Sequence, residues 1–230
     1  MVFTPEVILE TFFIVLEVVP RTLFLAFIIL IFGILIGFLF SLIKIRKVPV
    51  ITQIINVLIS YARGVPLIVH LLVLQAALPD ASASLLSVFG VAADPNEFPN
   101  LLIVLITYIF LEAAIESEYI RGAFQSIDRD QIEAGYSIGF TRSQNLKRII
   151  IPQTLAVVVP LFLNSFLKII KALSLAFVVG VVEILSQARY AAALNYRYLE
   201  SYIAAALVYW LVCGILQTIF NRVERKMQFN

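Results

Sequence analysis

Four long apolar runs and one interrupted run set the frame of this chain. Residues 22–43 are apolar throughout and are closed by Lys44, Arg46 and Lys47. A bilayer core needs about 20 such residues in helical form, so 22–43 reads as a first membrane span. Residues 48–78 are too long for one span and are broken by Arg63, Gly64, Val65 and Pro66. The expected division is an elbow helix over 50–62, along the membrane surface with Pro49 at its start, then a second span over 63–78. Arg63 would snorkel from that span toward the headgroups. Residues 79–99 carry Pro, Asp, Asn and Ser punctuation, hold Asp80, Asp94 and Glu97, and contain no Lys or Arg. They read as a loop. A third span over 100–120 is unusual in carrying Glu112, Glu116 and Glu118. After a polar stretch over 121–152, a fourth span covers 153–170, with Pro160 as a kink. Residues 171–197 are mixed, with an apolar piece at 172–185, and a fifth span covers 199–220. Near the N-terminus, Glu6, Glu10 and Glu17 fall near one helical face of residues 6–18. This reads either as an interfacial helix feeding the first span or as the fraying end of that span.

Residues 130–153, DQIEAGYSIGFTRSQNLKRIIIPQ, are the most polar run in the chain. Asp130 is the expected N-cap. Glu133, three residues on, completes a capping box and puts negative charge where the helix dipole favours it. A helix over 131–138 then stops at Gly139, which has no Cβ to oppose the left-handed conformation. Thr141 and Gln144 repeat the box and start a second helix that reaches Pro152, the step into the next apolar segment. An eight-residue helix is not stable alone. Either the rest of the protein or a partner must hold it.

Composition agrees with the spans. The hydrophobic fraction is 61% and the mean hydropathy +0.99, far above the ~45–50% apolar content of soluble domains. The pattern is that of an all-α integral membrane protein with about five transmembrane helices, and 230 residues suit one domain. The net charge of +2 gives no nucleic-acid footprint. Cys213, the one cysteine, has no partner for a disulfide within the chain. The first ten residues carry Glu6 and Glu10 and no Lys or Arg, the wrong flank for a cleaved signal peptide. No repeat or low-complexity tract is visible. Segments 44–47, 121–148 and 222–226 hold three, five and three of the 17 Lys and Arg residues. With five spans all three fall on one side, so the N-terminus is expected outside and the C-terminus in the cytoplasm.

The chemistry-bearing residues are few. There is no phosphate-cradling G-x-x-x-x-G-K-[ST] pattern, hence no route to ATP hydrolysis of that kind. His70 is alone and flanked by apolar residues, which suits a structural role. No Cys/His cluster or G-x-S-x-G is present, so an intramembrane enzyme has no support. Ionisable groups inside spans are costly and are functional candidates by default. Glu112 and Glu116 are four apart on the third span. Asn164, Lys168 and Lys171 share one face of the fourth. Acidic and basic faces on two spans could contact a substrate that carries both charges. The alternatives are that these residues pair with one another, or lie at an interface. A further functional alternative is a passive channel or ion-coupled carrier that uses Glu112 and Glu116.

The polar run resembles the cytoplasmic loop of ABC importer permeases. That motif is Glu-Ala-Ala, three residues, Gly, nine residues, then Ile-x-Leu-Pro. Here Glu133, Ala134, Gly135, Gly139, Ile149, Ile151 and Pro152 stand at those spacings, with Gly135 in place of alanine and Ile151 in place of leucine. Residues 61–66 resemble the Arg-Gly-Thr-Pro stretch of polar amino-acid permeases, with Val65 for threonine. Residues 118–126 resemble the stretch preceding the motif, where Glu118 and Arg121 suit structural roles. Residues 171–180, KALSLAFVVG, resemble a further family stretch but depart from it at Ala172 and Leu173. Together they resemble the polar amino-acid branch of type I ABC importers. The resemblance implies a coupling helix that docks in a groove of the ATPase subunit, with Glu133, Ala134, Gly135, Gly139, Arg142 and Pro152 as coupling residues. Glu112, Glu116, Asn164, Lys168 and Lys171, the polar and ionisable groups within the spans, are the candidates for a substrate path. The partners implied are an ATP-binding cassette ATPase dimer, a second identical or homologous permease subunit, an extracytoplasmic substrate-binding protein and membrane lipid. No cofactor is expected in this chain, since ATP and Mg would sit on the ATPase. The expected location is a bacterial cytoplasmic membrane, and the expected mechanism is alternating access.

Overall fold

The computed structural model describes residues 3–91 and 94–228, the side chains of 227 and 228 excepted. Every regular element among them is helical. In chain order they are α1 (Pro5–Leu16), α2 (Val19–Ile45), α3 (Ile51–Gly64), α4 (Leu67–Val88), α5 (Asn100–Gln125), α6 (Arg129–Ser137), α7 (Arg142–Asn145), α8 (Ile151–Ala172), α9 (Ile184–Asn195) and α10 (Tyr198–Gln228). Five segments are long and apolar enough to cross a membrane: Val19–Ile45, Leu67–Val88, Asn100–Gln125, Arg142–Val179 and Tyr198–Lys226.

Helices α2 and α5 form the most extensive pair. Their backbones approach at Gly33 and Gly37 of α2. A Cβ on Gly33 would lie 2.8 Å from Glu112 Cβ, and one on Gly37 would lie 2.9 Å from both Ala113 O and Ser117 N. Two glycines four residues apart remove the side chains that would hold the helices apart, the usual device where lipid supplies no hydrophobic drive for association. The main core then forms between α2, α5 and α8, from Ile29, Val104, Tyr108, Ile169, Ile170 and Leu173 among others. The Tyr108 hydroxyl donates to Ala172 O at 2.6 Å, where α8 tightens into a 3₁₀ segment, Leu173–Val179. A second cluster, including Val15, Ile184, Ala205 and Val208, fastens α1 and α9 to α10. Residues 46–50 turn the chain back at Lys47 and Val50, both with positive φ. This lays Ile55, Ile59 and Ala62 of α3 against Ala114 of α5.

Several predicted boundaries move. The loop expected over 79–99 begins only at Phe89, because α4 runs through Pro79 to Val88. Ala92 and Ala93 of that loop lie outside the described residues. Pro79 removes one backbone donor, but in lipid a helix is still the form that satisfies most backbone groups. Ser82 Oγ donates to Pro79 O at 2.8 Å. The second span starts at Leu67 rather than at 63, since Val65 and Pro66 are extended. Pro152 does not end a helix either. It has no N–H for the preceding turn, so residues Leu146–Ile150 widen into a π turn in which Ile151 N–H bonds to Leu146 O. The chain is therefore helical without a break from Arg142 to Val179, and it is helical through Pro160. At the other end, α1 is a helix in its own right. It closes at Leu16, turns at Glu17, buries Thr11 and Val15, and exposes Glu6, Glu10 and Glu17.

Candidate functional site: a latched loop and a buried carboxylate

The polar loop is built by its caps. Asp128, not Asp130, is the N-cap of α6: its carboxylate accepts from the Asp130 N–H at 3.0 Å. Asp130 thus falls in the first turn, and no box with Glu133 forms. Both aspartates are competent caps; the one that takes extended backbone, at φ −63° and ψ 130°, captures the free N–H groups. At the far end Gly139 has φ 87°. Gly139 N–H donates to Tyr136 O at 2.9 Å and Phe140 N–H to Gly135 O at 3.0 Å, a Schellman closure. The Thr141–Gln144 box forms in both directions, at 2.8 and 3.3 Å.

What holds α6 is Asn145, a residue that the motif does not include. Asn145 is fully buried, and its Nδ2 donates to Ile132 O at 2.7 Å, thirteen residues back. Its side chain presses on Gly135, where an added Cβ would lie 2.5 Å from Asn145 Oδ1 and 2.8 Å from Ile149 Cδ1. The departure from alanine at 135 is therefore matched by the buried asparagine at 145. Gln153 Nε2 donates to Gln131 Oε1 at 2.6 Å, and the Arg148 guanidinium lies 5.3 Å over the Phe140 ring. Glu133, Ala134, Gly139, Arg142 and Pro152 remain exposed, and only Gly135 of the predicted set is buried. Beside them Tyr136 and Ile138 are 48% and 72% exposed, an apolar tip between charged residues.

The intramembrane residues separate into two situations. Glu116 is fully buried between α2 and α8, and neither carboxylate oxygen has a hydrogen-bond partner among the described residues. Glu112, one turn earlier, is half-buried. Asn164, Lys168 and Lys171 line the exposed face of α8. Asn164 Nδ2 returns to Pro160 O at 3.0 Å, and Lys168 Nζ donates to the Tyr119 hydroxyl at 3.1 Å. Lys168 lies near enough for its charge to act on both glutamates. It forms no ion pair with either, nor does Lys171. These residues form no ion pair with one another; the Lys168 ammonium is turned to Tyr119 instead.

Glu118 joins α2 to α5. It accepts from Lys44 through one oxygen and from Arg121 through the other, at 2.6 and 3.0 Å. His70 is buried, with Nδ1 3.2 Å from Pro66 O and its ring edge-on to Tyr61 at 4.9 Å, so it braces the break before α4. Sequence reasoning missed Glu183, which is fully buried. It accepts from Leu185 N–H, Ser186 N–H and the Tyr209 hydroxyl at 2.8, 2.7 and 2.8 Å, while Ser186 Oγ accepts from Glu183 N–H at 2.6 Å. This is a capping box with the acid at the cap, and the spacing Glu183-x-x-Ser186 was its signal.

Residues 29–229 match the model of the family described as "Binding-protein-dependent transport system inner membrane component", and the chain belongs to that family. The chain is 34% identical over 224 residues to the probable amino-acid permease protein YxeN of Bacillus subtilis (strain 168), covering 96% of each. It is 31% identical over 211 residues to the L-cystine transport system permease protein TcyL of the same organism, covering 92% of this chain and 86% of that one. Among solved structures, an amino acid ABC transporter crystallised with histidines superposes with a TM-score of 0.82 at 25% identity, over 98% of this chain and 100% of the other. The inward-facing MetNI methionine ABC transporter, at 15% identity and a TM-score of 0.71, shares the fold, that of type I ABC importer permeases.

Proposed function

We propose that this chain is the membrane-spanning subunit of an ATP-driven importer of polar amino acids, or of a close derivative such as cystine. The observation that carries this reading is the α6–Gly139–α7 loop. It is a short helix latched by Asn145 to the start of a helix that goes on into the membrane, with Glu133, Ala134, Tyr136 and Ile138 left outward. A partner that moves this loop moves a transmembrane helix with it. The partners of this reading are an ATP-binding cassette ATPase dimer that holds ATP and Mg, a second permease subunit and an extracytoplasmic substrate-binding protein. The N-terminus lies outside and the C-terminus in the cytoplasm of a bacterial cytoplasmic membrane. Glu112, Glu116, Asn164, Lys168 and Lys171 flank the substrate path, with the buried Glu116 carboxylate as the group for an ammonium. The names of the relatives, amino-acid and L-cystine permeases, support the substrate class.

Proteoliposomes holding this chain with its ATPase, and supplied with the binding protein, test the reading. Uptake of a polar amino acid should require ATP inside and the binding protein outside. Uptake by the permease alone, driven by an ion gradient and without ATP, would replace this reading with an ion-coupled carrier.

A further inference from the structure

At the basic end of the bundle, α2, α5 and the helix running from α7 into α8 leave a cleft of about 850 Å³ between them. Its walls are apolar: Ile34, Phe38 and Leu42 from α2 face Leu155, Val158 and Phe162 from α8. Ile34 to Leu42 spans eight residues, about 12 Å of helix axis. The rim differs in kind. Lys44, Arg46, Lys47, Arg121 and Arg142 line the mouth, and no Asp or Glu lines the cleft. Lys44 and Arg121 share Glu118. Arg46, Lys47 and Arg142 are exposed and form no ion pair among the described residues. Two uncharged polar residues, Gln125 and Thr154, also line the cleft. Thr154 is 5% exposed, and its Oγ1, turned away from the open slot, has no partner among the described residues.

We infer that this cleft is a binding site for an anionic phospholipid. Its phosphate sits among Arg46, Lys47 and Arg142, and an acyl chain lies along the slot. Each part of the lipid meets a matching part of the cleft. Basic clusters at the end of transmembrane helices attract anionic headgroups, while the absence of a rim carboxylate leaves nothing for the ammonium of a zwitterionic lipid. A free phosphate would satisfy the rim and leave the apolar walls in contact with water. A second copy of this chain presenting the same face would bring its cations against these. The cleft also reaches Ile132 of α6 and Leu146 of the π turn, so its occupant touches the loop as well as the spans.

The test uses the full chain with the subunits that copurify with it, in nanodiscs of phosphatidylcholine. A photo-activatable phosphatidylglycerol is titrated in, and crosslinked peptides are mapped by mass spectrometry. Saturable labelling of 34–47 and 151–162 is expected, competed by unlabelled phosphatidylglycerol but neither by phosphatidylcholine nor by inorganic phosphate. Arg46→Gln with Lys47→Gln, both at exposed positions, should weaken half-saturation about 25-fold, at roughly fivefold for each cation removed. Leu155→Trp should fill the slot and suppress its labelling, with the thermal midpoint unchanged in both variants. Equal labelling by a phosphatidylcholine probe would overturn the inference. Competition by inorganic phosphate would reduce the site to an anion site. A disulfide between two copies of a Leu155→Cys, Cys213→Ala variant would assign the cleft to a second subunit and also overturn it.

Discussion

Replacing Gly135 by alanine adds one methyl group where α6 meets Asn145. That methyl would lie 2.5 Å from Asn145 Oδ1, 3.0 Å from its Cγ and 2.8 Å from Ile149 Cδ1. The isoleucine tip can rotate away. Asn145 has less freedom, because its Nδ2 is held to Ile132 O at 2.7 Å and its whole side chain is buried. Moving it sacrifices that hydrogen bond, worth about 1 kcal/mol, and overpacking adds about 1–3 kcal/mol. Against this, alanine is favoured over glycine inside a helix by about 1 kcal/mol. The net cost to the latch is about 1–3 kcal/mol. Amide hydrogen exchange in α6, followed on the detergent-solubilised protein, should accelerate by roughly 5- to 150-fold. The same substitution made on an Asn145→Ala background meets no asparagine. There the helix preference dominates, and exchange should slow. This reversal of sign separates a steric latch from a general effect on the loop. Slower exchange in the single Gly135→Ala variant would refute the reasoning.

Gly37→Ala would place a methyl 2.9 Å from backbone atoms of α5, which cannot rotate away. It should lower the thermal midpoint through a loss of about 1–3 kcal/mol, whereas Gly214→Ala, inside α10 with nothing within 4 Å, should leave it unchanged or raise it. Gly139→Val forces a β-branched residue to φ 87°; substrate-stimulated ATPase activity should fall with insertion intact, and normal stimulation would contradict the coupling role. Topology is read with cysteines in a Cys213→Ala background: Asn96→Cys, in the exposed segment after α4, should react with an impermeant thiol reagent from outside and Ser143→Cys should not, and the opposite pattern would invert the proposed orientation. Glu116→Gln removes a charge that has no ion-pair partner among the described residues, so assembly should be normal and uptake weakened most for a cationic substrate; poor assembly, or unaltered transport kinetics, would count against a role in the path.

The apolar runs located all five long helices, because a bilayer demands long apolar segments and leaves few ways to arrange them. Their ends were less legible. Hydropathy measures the apolar run, whereas α2 ends at Ile45 and α5 at Gln125, beyond the residues that lipid selects. Pro79 and Pro152 were read as stops because a proline removes a donor. In the fold each leaves its helix continuous, one beside a serine that bonds back and one through a π turn. At the loop, local chemistry was readable wherever donor and acceptor lie within four residues, as for Thr141 and Gln144 or the closure at Gly139. It failed between Asp128 and Asp130, where two adjacent cap candidates differ only in backbone conformation. The Asn145–Ile132 bond and its demand on Gly135 link residues thirteen and ten apart across a turn, a distance over which periodicity carries no information. Nor could spacing reveal that Lys168 turns to Tyr119 and leaves Glu116 without an ion pair.

The unbroken helix from Arg142 to Val179 also sets a mechanical ratio. Its 38 residues form a lever roughly 57 Å long. Tilted by roughly 5° about its loop end, such a rod sweeps its far tip through about 5 Å, close to one helical turn. The Leu146–Ile150 π turn and Pro160 are its points of compliance, so under the proposed function the stiffness of these two places decides how much of a stroke delivered at the loop arrives at the far end of the helix. Stiffening either one would alter the amplitude of that stroke without touching the contacts that deliver it.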